Sequence, residues 1–158
     1  MRAAGLAFVL LSLASSAFAV DPGKAEGSLT VNATRIDLAY AYAIGHQKDE
    51  ITKRSDEVKV VLTDKPLPDS VKINDLDLNF PEGVLGLIVS ITADDKVSHV
   101  IVQHPTGTYD SGYTEEGREY RFKPKNADGT ITGNVSSRHI QTNTMTFSFD
   151  VEFAATVK

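Results

Sequence analysis

Four histidines, His46, His99, His104 and His139, carry most of the acid and base capacity available near neutral pH, because the 158-residue chain contains no cysteine. Thiol catalysis and thiolate metal sites are thereby excluded. Acyl transfer by serine needs a hydroxyl activated by a base and oriented against an oxyanion hole. No serine here lies in a G-x-S-x-G turn, and no histidine stands at a recognised spacing from one. His99 and His104 are five residues apart, which in an extended chain sends them to opposite faces. A hydrolytic centre would have to be assembled by the fold, for example from His46 or His104 as base with Asp110 or Glu115 as its partner. The plainer reading leaves each histidine solvated or singly hydrogen-bonded.

Metal chemistry fares no better. Asn126, Asp128 and Gly129 followed by Ile131 resemble part of a calcium loop, but the first and last ligand positions fall on Pro124 and Val135, which carry no carboxylate. A hairpin turn built on Asp-Gly accounts for them. Asp75, Asp77 and Asn79 share one face of an extended segment, which equally describes the wet side of an amphipathic strand. The adjacent pairs Asp94 with Asp95 and Glu115 with Glu116 would point apart in exposed turns, so they make poor acid and base couples. No metal site and no cofactor is expected. Asn32-Ala33-Thr34 and Asn134-Val135-Ser136 match the N-glycosylation acceptor pattern, which has meaning in a eukaryotic secretory pathway.

The binding candidates are His104, Tyr109, Asp110 and Tyr113, in the aperiodic stretch His104 to Glu116, which also holds Pro105, Gly107 and Gly112. Unstructured connections of that length are uncommon unless they are functional. A tyrosine beside glycine offers a flat apolar ring and a hydroxyl, suited to a protein, peptide or glycan partner. The absence of tryptophan weakens the glycan case. The competing account is that Tyr109 and Tyr113 pin the loop to the core.

Something must position these groups, and the hydrophobic pattern is that of strands. In Arg35 to Ile44, Ile36, Leu38, Tyr40, Tyr42 and Ile44 alternate with Arg35, Asp37, Ala39, Ala41 and Ala43, which predicts a central strand with the large residues facing the core and a second face that turns from charged to small and apolar, so that the strand becomes buried on both sides. Leu29 and Val31 precede it, so Asn32 to Thr34 turn a first hairpin. Val58 to Leu62 is a strand ended by Pro66 and Pro68. Val84 to Thr92 is nearly continuous in apolar residues, as a strand covered on both faces would be, and Asp94 to Lys96 turn it into Val97 to Gln103. Arg118 to Lys123 and Thr130 to Ser136 form a third hairpin. Met145, Phe147, Phe149, Val151 and Phe153 alternate with polar residues in a closing strand. Asp69 to Gly83 is compatible with helix, strand or loop, and Gly45 to Glu57 reads as a charged excursion. The expected fold is an all-β, antiparallel β-sandwich of seven to nine strands, with a small β-barrel as the alternative.

The first nineteen residues are of another kind. Met1 and Arg2 lead into an apolar run, then to Ala17-Phe18-Ala19, the pattern of a secretory signal peptide cleaved before Val20. The run is shorter than a bilayer requires, so no membrane span is expected after cleavage. Residues 20–27 then read as a flexible N-terminal segment and 28–158 as a single β domain, exported to the periplasm or beyond. Without Arg2, 15 basic residues face 21 acidic ones, a net charge of −6. That balance excludes a nucleic-acid partner, which would need a basic face.

Five segments, GSLTV (27–31), RIDLAYAYA (35–43), VKVVLTDKPLP (58–68), DGTITGNV (128–135) and FSFDVEFAATV (147–157), resemble a group of small exported bacterial proteins without an assigned activity. The resemblance implies an exported β domain and carries over no site residue. Together these readings favour a non-catalytic exported protein with a binding or structural role, and a small secreted hydrolase as the alternative.

Overall fold

The computed structural model describes residues 20–46, 57–73, 76, 80–112, 119–124 and 129–158. They form ten β-strands and almost no helix. The strands are β1 (Lys24–Val31), β2 (Thr34–His46), β3 (Glu57–Thr63), β4 (Gly86–Thr92), β5 (Val97–His104), β6 (Gly107–Asp110), β7 (Tyr120–Pro124), β8 (Thr130–Ser137), β9 (Ile140–Gln141) and β10 (Thr146–Thr156). Among the described residues no helix is long and apolar enough to cross a membrane.

All ten belong to one antiparallel sheet in the order β6-β5-β4-β3-β2-β1-β10-β8-β7, with β9 attached to β10. The sheet is strongly curled into a half-barrel, the architecture expected of an all-β sandwich or barrel. Its inner face holds one large cluster that includes Leu29, Leu38, Val60, Leu87, Val100, Phe147, Phe149, Val151 and Phe153. Phe147 and Phe153 are among its largest fully buried side chains. Curling requires close strand contacts. At Gly27 (φ +151°) a Cβ would lie 2.2 Å from the Asp150 carbonyl, and at Gly133 (φ +158°) 2.4 Å from that of Lys123. Only glycine fits either place.

Several sequence expectations need correction. β1 starts at Lys24, so part of the segment read as a flexible terminus pairs along Ala154 to Val151 of β10. The stretch read as an aperiodic loop from His104 contains a tight turn and strand β6, because Gln103, Thr108 and their neighbours pair although they lack an apolar alternation. The faces of β2 change midway. Ile36 and Leu38 point into the main cluster, but so do Ala41 and Ala43, while Ala39 is exposed and Tyr40, Tyr42 and Ile44 are half-buried on the outside. The register of β1 against β2 slips between Lys24 and Gly27, where two β1 residues oppose Ala39. Such an irregularity shifts the inward positions by one and exchanges the faces.

β3 and β4 are buried on both faces because the described residues between them, 64–73, 76 and 80–85, cover the outside of the sheet. There Leu76 joins Val61, Ile88 and Ile101 in a second cluster, flanked by Tyr42, Leu67, Val71, Ile73 and Phe80. The stretch from Asp69 to Gly83 contains no strand among its described residues; it is a packed connection with one short helical turn at Ile73.

The two ends of the sheet, β6 and β7, approach each other where β5 comes alongside β7. Nine alternating strands leave β6 and β7 running in the same sense, and no ladder joins them among the described residues. Side chains close the seam instead. Tyr109 of β6 packs its ring 4.8 Å from that of Phe147, and its hydroxyl accepts a 3.4 Å hydrogen bond from Tyr120 of β7.

Candidate functional site

The β4–β5 pair carries a bulge: Ser90 faces His99, but Ile91 faces Val97, leaving Ser98 as the extra residue. Val97 and Val100 both enter the core, so Ser98 and His99 lie between two inward positions. Bulges redirect side chains in this way. His99 is thereby turned to the outer face, where its Nε2 lies 2.6 Å from Asp110 Oδ1 on β6. The same carboxylate oxygen accepts a hydrogen bond from the Gly112 amide at 2.7 Å. Burial alone would push the Asp110 carboxyl up, but the His99 hydrogen bond, the Gly112 amide and the charge on His99 outweigh it and hold it below the usual carboxylate range.

Next to this pair, the register places Lys59, Ser90 and His99 as successive cross-strand neighbours on β3, β4 and β5. Lys59 is 8% exposed and Ser90 4% exposed. The row thus sets His99, with Asp110 as its orienting carboxylate, beside the buried Ser90. Ser111 is engaged twice: its hydroxyl accepts from the Val100 amide at 2.9 Å and donates to the Gly112 carbonyl at 2.8 Å.

The predicted binding residues are not gathered into one place. His104 ends β5, and its Nδ1 accepts from the Thr106 amide at 3.2 Å and meets Thr106 Oγ1 at 2.7 Å. Burial lowers its pKa, in keeping with a neutral ring accepting at Nδ1. His104 therefore caps a turn and does not pair with Asp110. Thr106 also accepts from Asn32 of the β1–β2 turn at 3.5 Å, and Asn32 Oδ1 accepts from the Thr146 amide at 2.9 Å, so three chain reversals meet at this rim. Tyr109 is half-buried in the seam. Tyr120, its partner there, is held protonated by burial, which raises its phenol well above the usual range. Tyr113, Glu115, Glu116, Asp75, Asp77, Asn79, Asn126 and Asp128 lie outside the described residues, as does the side chain of His46. His139 is exposed in the β8–β9 connection.

Among the described residues no group of three or more histidine, aspartate and glutamate side chains is placed to hold a metal ion. The bulge that turns His99 outward left a trace in the sequence, though nothing there pointed to Asp110. Val97, Val100 and Val102 step by three and then by two, the mark of one extra residue in a strand. No family model, curated protein or solved structure matches the chain.

Proposed function

We propose that the chain is an exported, non-catalytic β domain with a binding or structural role outside the cytoplasm. The observation that supports this most directly is what Asp110 and His99 do: together they tie the short β6 to the bulged β5, and the carboxylate is further occupied by the Gly112 amide. The neighbouring hydroxyl of Ser111 is likewise engaged with the backbone of both segments. The inner face is packed with phenylalanine, leucine and valine side chains, so recognition would take place on the outside or at the rims. The leader-like first nineteen residues support export.

The same 2.6 Å contact also favours a second reading, a small hydrolase in which His99 acts as base and Asp110 orients it. One experiment separates them. The purified protein and its His99→Gln variant are assayed against ester, peptide and glycoside substrates, with folding monitored by circular dichroism. The binding or structural role predicts no turnover that depends on His99. Turnover by the wild type that disappears in a folded His99→Gln protein would establish the hydrolase instead.

A further inference from the structure

We propose that the strap linking β3 to β4, argued from its described residues 64–73, 76 and 80–85, opens from the outer face while the curled sheet beneath stays folded. Its ends meet: the Asp64 amide donates to the Leu85 carbonyl at 3.0 Å, and Asp64 Oδ1 accepts from the Leu85 amide at 2.7 Å. Lys65 Nζ adds a bond to the Gly83 carbonyl at 2.8 Å. Immediately inside this neck, Thr63 pairs with Gly86, so β3 and β4 form a continuous ladder whether or not the strap is docked. Among its described residues the backbone bonds within the strap are local ones, Val71 to Pro68, Leu76 to Ile73 and Val84 to Pro81. A neck closed by its own bonds sets the strap apart from the ladder it leaves.

What docks it is separate from the barrel core. Leu76 and its flanking residues pack on Val61, Ile88 and Ile101 in the outer cluster, which shares no buried residue with the inner one. The Leu67 amide donates to the Tyr42 hydroxyl at 2.9 Å, fastening the strap to β2. Among the described residues, lifting the strap beyond its neck therefore costs the outer cluster and the Tyr42 latch, while the inner cluster and the β-ladders share no residue with it. Units with their own small set of contacts open at lower free energy than the whole. The opened state uncovers Val61, Ile88 and Ile101 as an apolar strip on the outer face.

The test is amide hydrogen exchange on the full chain, read by NMR at increasing urea below the unfolding transition. The Leu67 and Leu76 amides should exchange faster than that of Ile88 and with a smaller urea dependence, since less surface is exposed. Tyr42→Phe, which removes the latch oxygen, should speed exchange at Leu67 about five- to tenfold and leave Ile88 unchanged. Equal rates and urea slopes for Leu67, Leu76 and Ile88 would show that the strap opens only with the barrel. A Tyr42→Phe effect that is absent at Leu67, or as large at Ile88, would overturn the latch.

Discussion

His99 of β5 and Asp110 of β6 face each other across the last hairpin of the sheet, with 2.6 Å between Nε2 and Oδ1. The contact fastens a four-residue edge strand that has little apolar burial of its own. Because the carboxyl of Asp110 is held below its ordinary value in the folded protein, the contribution has a definite sign. A carboxylate with a depressed folded pKa adds stability that is present above the unfolded aspartate value of about 3.9 and is lost as pH falls through the folded value. Stability should thus decline in acid below about pH 4, and Asp110→Asn should flatten that decline. Urea midpoints across pH 2 to 6 for both proteins check it. The side chain of Asp110 is 43% exposed, so solvent screening keeps the effect small.

Tyr109 was legible in the sequence as a candidate contact residue, and the structure places it against Phe147 and Tyr120. As part of the seam it should matter for stability. Tyr109→Phe removes only a long hydroxyl contact and should cost less than about 1 kcal/mol. Tyr109→Ala deletes the ring that covers Phe147 and should cost roughly 2–4 kcal/mol, toward the lower end of buried aromatic truncations. Chemical denaturation distinguishes the two. A Tyr109→Ala protein as stable as wild type would return the residue to the list of free surface contacts.

Strand identity was readable wherever one face is apolar and the other polar. In β10, Phe147, Phe149, Val151 and Phe153 are all buried as their spacing predicts, and β4 is covered on both sides as its nearly continuous apolar run suggests. Two kinds of information were hidden. A bulge changes which residues face inward without changing composition, so the tyrosines of β2 looked like core while the smaller alanines took that place. Short edge strands such as β6 pair through the backbone alone and leave no hydrophobic period to read. The His99 and Asp110 pair was hidden by the second difficulty, since the bulge at His99 shows in the valine spacing but Asp110 sits on that edge.

The exchange of faces in β2 can be tested two residues apart. Ala39 is exposed, whereas Ala41 is 2% exposed in the inner cluster. Ala39→Asp should change stability by no more than about 0.5 kcal/mol, as ordinary surface substitutions do. Ala41→Asp would bury a carboxylate among apolar neighbours and should abolish cooperative folding. A thermal scan of each variant gives the answer, and equal midpoints would mean that the inward positions had not shifted.

The first hairpin turns on Asn32 and Ala33, whose φ angles are +47° and +66°, with Val31 paired to Thr34 on either side. A two-residue turn with both central residues at positive φ matches the twist of the flanking strands, and its preferred sequence is Asn-Gly. Asn32 meets that preference and also anchors β10 by accepting from the Thr146 amide. Ala33 does not, because its Cβ crowds the following carbonyl in the left-handed region, at a cost of roughly 1–2 kcal/mol. Glycine removes that strain but brings more freedom to the unfolded chain, which returns about 0.4–1 kcal/mol of the gain. Ala33→Gly should therefore stabilise the protein by about 0.5–1 kcal/mol net, without altering a single side-chain contact in the core. Urea denaturation at fixed pH should show a higher midpoint with an unchanged slope, since the surface exposed on unfolding stays the same. A lower midpoint would mean that the turn is not held with both residues at positive φ.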